Sequence, residues 1–452
     1  MLNASTIAAL STPPGESALA LIRLSGPLCV SLSETLFKVQ LPIQARYSYL
    51  NTYRSLSGQE LDEVIWVFYP SQASFTGEAM LEIACHGNPL IIDSILDDLC
   101  TRGCRLAQPG EFTRTAFLNN RLDLSQAEAI ADLIHAKNDQ ALQAAKKQMG
   151  GALSKKISQA MDTLLQAIAE FEAYIDFSEE DLPEENVQRS ASTLEGLKDE
   201  LHTLIINHRY RKPLVSGLQL SLIGAPNAGK STLFNALVGE ERALVSPEAG
   251  TTRDYIQSLI HIGPYCVYLN DTAGLRDTQH PIEQAGIAKT LERIEESDFY
   301  LWLIDRSSPF IDLDPSWSKP LSPKNTIIVE TKTDLPAAFQ TPERLNTYPR
   351  LSLSLHDPKA LQGLRKDLES AIQRSQLLPS SDTLIVNSRH AQALKLCKEH
   401  LEASLDLIYA HAPTELAVSE LRLALDALGE ILGKVDNEAM LDKLFASFCI
   451  GK

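Results

Sequence analysis

Positive charge is what this chain is shortest of. Its 41 Lys and Arg stand against 58 Asp and Glu, a formal net charge of −17. A surplus of acid argues against nucleic-acid binding as the main business of the bare chain, because a phosphate backbone is held chiefly by cations. The local basic clusters, Lys146-Lys147, Lys155-Lys156 and Arg209-Tyr210-Arg211-Lys212, read as solvated helix faces or linker. Any contact with RNA would then lean on a basic partner. Long hydrophobic runs are missing as well. No apolar stretch reaches the ~18 residues that mark a membrane helix, and no basic region precedes a hydrophobic segment near Met1. Neither a membrane span nor a secretory leader is expected. The seven cysteines include no Cys-x-x-Cys pair, which speaks against a zinc site and for a reducing compartment. The expected location is the cytoplasm.

What the chain does have is Gly224-Ala225-Pro226-Asn227-Ala228-Gly229-Lys230-Ser231, a Gly-x4-Gly-Lys-Ser phosphate loop. Leu218 to Ile223 before it reads as a buried strand, and Thr232 to Leu237 after it as the first turns of a helix. Glycines at both ends let successive N–H groups point at phosphates, Lys230 neutralises their charge, and the Ser231 hydroxyl can ligate magnesium. The plain alternative is a glycine-rich strand-to-helix turn with no ligand.

Later motifs choose the nucleotide. Gly250-Thr251-Thr252-Arg253-Asp254 offers Thr252 as a second magnesium hydroxyl. Asp271-Thr272-Ala273-Gly274 follows the alternating run Cys266 to Leu269, so Asp271 can hold magnesium-bound water and the Gly274 N–H can meet a γ-phosphate. The strand Asn325 to Glu330 then leads into Thr331-Lys332-Thr333-Asp334. GTPases carry Asn-Lys-x-Asp here, and Asp334 can still accept from guanine N1–H and the exocyclic amine. Threonine at 331 lacks the amide's reach to base and phosphate loop, which predicts weaker affinity. Ser352-Leu353 reads as the last base-contact motif, with the leucine N–H as donor. GTP is favoured over ATP. Leu275 cannot orient the attacking water, so Glu283 is the nearest candidate carboxylate, its plain alternative being a solvated helix-start acid. The Asn227 amide oxygen could coordinate a monovalent cation or simply brace the loop.

The chain resembles the MnmE (TrmE) family of tRNA-modifying GTPases over nearly its whole length. Besides the motifs above, the likeness rests on Ser74-Phe75-Thr76-Gly77-Glu78, Cys85-His86-Gly87, Pro109 to Thr113, Ala116 to Asn119, Leu122 to Ile130, and Phe448-Cys449-Ile450-Gly451-Lys452. It implies a homodimeric GTPase, stimulated by potassium, that works with the flavoprotein MnmG (GidA) as a heterotetramer. Together they add an aminomethyl-type group at C5 of the wobble uridine of certain tRNAs, with a tetrahydrofolate derivative as one-carbon donor. The implied GTP site comprises Asn227, Ala228, Gly229, Lys230, Ser231 and Thr232, then Ser246, Pro247, Glu248, Ala249, Gly250, Thr251 and Thr252, then Asp271, Thr272, Ala273 and Gly274, and finally Thr331, Lys332 and Asp334. Ser231 and Thr252 would ligate Mg2+, and Asn227, Ser246, Glu248 and Thr251 would surround K+. Lys230 and Glu283 would be the catalytic side chains. Arg23, Glu82, Arg121 and Lys452 fall at folate-contacting positions, where the family commonly has Lys in place of Arg121.

The expected fold is multidomain. An α+β N-terminal domain (1–119, also the dimerisation domain) precedes a discontinuous α-helical domain (120–212 and 380–452). An α/β P-loop GTPase domain (213–379) is inserted between the helical pieces. Ser125-Gln126-Ala127-Glu128 reads as a capping box that opens a long helical run to Ile175, broken at Gly150-Gly151. The acidic stretch 178–185 reads as a loop, and Leu421, Leu425, Leu428 and Leu432 as a core-facing stripe. Cys449 reads as a structural thiol rather than a nucleophile. A second function class, a GTP-switched ribosome-assembly or RNA-binding factor, would call for a basic RNA-binding module beside the G domain. The acidic helical flanks offer none.

Overall fold

The computed structural model describes residues 5–38, 43–176, 184–239, 257–271, 297–313, 318–354, 358–375, 377–379, 383–433, 438–446, 448 and 450–451. Two compact units share the chain. One comprises Met1–Ala131, Gln148–Lys198 and Leu396–Lys452, the other Asp132–Lys147 and Asp199–Lys395. The architecture is multidomain, with an α+β sheet domain, helical segments on both sides of the nucleotide-binding motifs, and an α/β domain that carries those motifs. Among the described residues no helix is long and apolar enough to cross a membrane.

The first unit contains a six-stranded sheet of β1 (Ile7–Leu10), β2 (Ser17–Ser25), β3 (Ser48–Arg54), β4 (Glu60–Tyr69), β5 (Met80–Gly87) and β6 (Arg105–Leu106). Their order is β3-β4-β5-β2-β1-β6, antiparallel except where β6 joins β1. Alternation sorts the side chains onto two faces. Ile22, Leu24, Val64, Trp66, Leu81 and Ile83 turn to a core closed by α1 (Cys29–Phe37) and α2 (Pro89–Thr101). There the Phe37 and Trp66 rings stack with centroids 4.4 Å apart. Arg23 and Glu82 fall on the alternate positions, which leaves them for the other face.

After α3 (Glu111–Leu118) the chain turns helical with α4 (Leu124–His135), α5 (Asp139–Met149), α6 (Ala152–Asp176) and α7 (Glu184–Asn207). The capping box lies two residues earlier than the sequence suggests. Asp123 Oδ1 accepts the Gln126 N–H at 3.0 Å, Gln126 Oε1 accepts the Asp123 N–H at 3.0 Å, and Ser125 spends its hydroxyl on Asp123. An Asp-x-x-Gln pair closes the same reciprocal ring. The long run also breaks once more than expected. Besides Gly150-Gly151, it stops after His135 and restarts where Asn138 Oδ1 caps the Ala141 N–H at 2.7 Å. The acidic loop is largely outside the described residues, and α7 begins at Glu184.

Chain segments from before and after the nucleotide-binding motifs meet inside this unit. α6 packs on α12 (Thr414–Leu432), whose Leu421, Leu428 and Leu432 are buried, with Leu425 partly so. α13 (Glu438–Phe445) joins α4 through Leu441, Phe445, Phe448, Leu124 and Ala127.

The second unit is built on β7 (Leu218–Gly224), β8 (Gln257–Ile262), β9 (Tyr265–Asp271), β10 (Phe299–Asp305), β11 (Thr326–Thr331) and β12 (Arg350–Ser352). Their order is β12-β11-β10-β7-β9-β8, all parallel but β8. The central strands are apolar on both faces, as expected of a sheet covered on both sides. One face packs on α9 (Lys230–Gly239) and α10 (Pro358–Ser375) through Leu233, Phe234, Leu237, Leu361, Leu364 and Leu368. The other face buries Ile223, Tyr300, Trp302, Ile304, Ile328 and Leu345. α8 (Arg211–Ser216) leads into β7, while α11 (Ser388–Tyr409) begins in this unit and ends in the other.

Candidate functional sites

Strand register brings the nucleotide motifs to one edge. Gly224 pairs with Leu303, Asp271 with Leu222, and Asp305 with Thr331, so the carboxyl ends of β7, β9, β10 and β11 lie side by side. An open parallel sheet binds ligands at that edge. Gly224 has φ 146°, and a Cβ on it would stand 2.3 Å from the Leu303 carbonyl oxygen, so the first loop position admits only glycine. Asn227 takes the left-handed conformation, φ 62°, and its side chain is exposed. Lys230 begins α9 and is nearly buried. Its Nζ donates to the carbonyls of Gly224 and Ala225, both at 2.8 Å, which fixes the ammonium in the concavity of the loop. Ser231 and Thr232 follow, exposed in the first helical turn.

The base-recognition edge departs from two expectations. Thr331 does reach the phosphate loop: its buried hydroxyl donates to the Ala228 carbonyl at 2.9 Å. β10 separates β11 from β7, but the phosphate loop that follows β7 comes within reach of a short hydroxyl at the very end of β11. Leu353, by contrast, spends its N–H on the Glu330 carbonyl at 2.9 Å and buries its side chain. It is a ladder residue rather than a base contact. The next Ser-Leu pair is Ser354-Leu355, of which Leu355 is outside the described residues. Lys332 has φ 56°, and its ammonium meets Asp305 Oδ2 at 2.6 Å. Burial works against ionising Asp305, but hydrogen bonds from Lys332, Ser307 and Ser308 prevail and bring its pKa down to about 2. Asp334 follows in an exposed turn. No sequence motif marks Asp305; only its register with Thr331 reveals it.

Ser246, Pro247, Glu248, Ala249, Gly250, Thr251, Thr252, Thr272, Ala273, Gly274, Glu283, Cys449 and Lys452 lie outside the described residues. Asp271 is described as the last residue of β9.

On the outer face of the first unit's sheet a second constellation forms. Arg23 Nη2 and Nε lie 2.8 and 2.9 Å from Glu82 Oε1, with both side chains largely buried. Tyr69 donates its hydroxyl to Glu82 Oε2 at 3.1 Å; burial first, and the carboxylate second, push the phenol's pKa up and keep it a donor. The Arg23 guanidinium lies 6.0 Å from the centre of the Phe112 ring, and its Nη1 donates to the Gly451 carbonyl at 3.1 Å. Gly451, φ 88°, passes so close to β1 that a Cβ would meet the Leu10 carbonyl oxygen at 2.4 Å. Arg121 is held apart from the pair, on the Ser74 carbonyl at 3.2 Å. Nothing local in the sequence singles out Tyr69 or the Gly451 carbonyl. Five of the six described thiols do not suit catalysis. Cys29, Cys85, Cys104, Cys266 and Cys397 are buried, and burial lifts Cys85 and Cys104 to about 11 and Cys397 to about 12.

Comparison with known proteins covers nearly the whole chain. The GTP-binding protein TrmE N-terminus model matches residues 6–121, and the MnmE helical domain model matches 124–449. The chain belongs to the MnmE family. Among curated MnmE proteins, each named a tRNA modification GTPase, that of Opitutus terrae is 46% identical over 99% of both chains. That of Aquifex aeolicus is 38% identical over 99% of both. The MnmE of Chlorobium chlorochromatii is 37% identical over 99% of this chain and 98% of its own.

Proposed function

We propose that this chain is a GTPase acting in tRNA modification. The observation that carries the reading is the shared strand edge, where a lysine-lined phosphate loop is tied through Thr331 to the turn that presents Asp334. Glycine at 224 and 229 leaves the loop amides free of side-chain cover, and the start of α9 adds its dipole. Lys230 offsets phosphate charge, and Asp334 takes the guanine edge. The Ser231 hydroxyl, exposed in the first turn of α9, suits a hard cation. With Thr252 it would hold Mg2+, which supplies charge neutralisation between phosphates.

The finer reading follows the family resemblance. Asn227, Ser246, Glu248 and Thr251 surround a potassium ion beside the phosphates, and Glu283 positions the hydrolytic water. The exposed, left-handed Asn227 supports that reading, because its amide is free to turn toward the phosphate side. Arg23, Glu82, Arg121 and Lys452 receive a tetrahydrofolate derivative. The chain, as a homodimer with a MnmG-type flavoprotein, modifies C5 of the wobble uridine. Support for the folate face comes from the Arg23–Glu82 pair, a ready donor and acceptor set for a pterin-like edge.

GTP hydrolysis by the full chain with magnesium, in KCl and then NaCl, tests the reading in two steps. Potassium should accelerate hydrolysis and Asn227→Ala should erase the difference. Equal rates in both salts remove the potassium site, and no hydrolysis in either removes the GTPase.

A further inference from the structure

Glu330 immediately precedes Thr331 on β11, and neighbouring strand residues face opposite ways. While Thr331 points to the phosphate loop, the nearly buried Glu330 carboxylate gathers the opposite side. Its Oε1 accepts from Thr341 Oγ1 at 3.1 Å, in the connection that follows Asp334. Its Oε2 accepts from Ser352 Oγ at 3.0 Å, at the end of β12, and faces Arg306 Nη1 at 3.4 Å. The backbone repeats the pattern. Glu330 O accepts the Leu353 N–H, Thr331 O accepts the Arg306 N–H at 3.2 Å, and Arg306 O accepts the Ala338 N–H at 2.8 Å. One acid therefore braces both chain segments that bear on the base, the turn of 332–334 with its return and the exit of β12.

We infer that Glu330 is a positioning residue for guanine recognition, holding the Asp334 turn and the β12 exit in mutual register. The inference rests on the guanine-nucleotide reading above. Glu330 touches no nucleotide; it acts through the loops. A buried carboxylate with three donors is a stiff anchor, because the acid itself is costly to leave unpaired away from water. Ser352 thus serves the sheet edge rather than the base, in keeping with Leu353 as a ladder residue.

The test compares GDP with IDP, which lacks the exocyclic amine that Asp334 reads, by displacement of a fluorescent nucleotide from the full chain. Wild type should bind GDP about tenfold more tightly, roughly the worth of one hydrogen bond to a carboxylate. In Glu330→Ala the ratio should fall toward one with the thermal transition retained. Glu330→Gln, which keeps one acceptor oxygen, should recover part of it. A folded Glu330→Ala with the wild-type ratio overturns the inference. Should that variant not fold, the Thr341→Val/Ser352→Ala double variant, which leaves the acid paired with Arg306, replaces it. A lowered ratio there supports the inference, and a wild-type ratio overturns it. A wild type that does not prefer GDP to ADP removes the guanine reading itself and is recognised as such before any variant is measured.

Discussion

The phosphate loop and the Arg23 face both hold charge at a surface, but they are assembled in opposite ways. Every polar contact of Lys230 described above lies within six residues of it, whereas Arg23 and Glu82 are 59 residues apart and Arg23 and Gly451 are 428 apart. The loop aims its cation through two of its own backbone carbonyls. The sheet face neutralises its cation with a carboxylate drawn from another strand, then pins both with a tyrosine and the last residues of the chain. A local device survives change elsewhere; a distributed one depends on the whole unit.

Lys230→Ala breaks the comparison on the local side and has the largest expected effect. Removing the one ammonium from the loop should lower GTP hydrolysis by about 10²-fold or more, the scale of losing a preorganised charge at developing phosphate charge. Fold and reduced-folate affinity should stay as in wild type, because the described partners of Arg23 and Glu82 all come from their own unit. Hydrolysis within a few-fold of wild type, measured at saturating GTP, contradicts the role given to the ammonium.

Arg23→Ala attacks the distributed side. It leaves the largely buried Glu82 with Tyr69 as its remaining described partner, and the Gly451 carbonyl with the Ser11 hydroxyl, 3.1 Å away, as its remaining described donor. A cost of about 2 kcal/mol to the first unit is expected for an uncompensated, part-buried carboxylate. Reduced-folate binding should weaken about tenfold or more, with GTP affinity unchanged. Isothermal titration of both ligands, alongside a denaturation curve, separates the outcomes. Unchanged folate affinity would reject the Arg23 face as the folate site, while a parallel fall in GTP affinity would show the two regions to be energetically coupled.

Legibility in the sequence follows the same division. Gly224 to Ser231, the strand before it and the helix after it are readable because an eight-residue motif carries its own geometry. β7 and β11 are readable because burial on both faces makes them largely apolar. Ser125 has the spacing to Glu128 that suits a cap, yet Asp123 and Gln126 offer the same spacing and a carboxylate accepts without a rotor to order. Leu353 misleads because two consecutive Ser-Leu pairs follow β11, and only the ladder bond to Glu330 reveals which belongs to the strand. Arg23 and Glu82 are named through resemblance alone; no period or spacing links residues from separate strands. Asp305, Glu330 and Tyr69 are illegible for that reason.

Thr331 sits where the two kinds of assembly meet, since its single hydroxyl joins β11 to a loop 103 residues earlier. Thr331→Val keeps the β-branched shape and strand packing but leaves the buried Ala228 carbonyl without that donor. The loss should be about 1 kcal/mol, or roughly fivefold in nucleotide affinity, seen mainly as faster GDP release. Thr331→Asn is the sharper half of the test. An amide at this position can donate to the same carbonyl and extend toward the base, so affinity should equal or exceed wild type. If Val binds GDP as tightly as Thr does, the tether contributes nothing and the loop is held by its own local bonds. If Asn binds more weakly than Val, the β11 end is shaped for the smaller hydroxyl, and the threonine is a fitted replacement rather than a degraded motif.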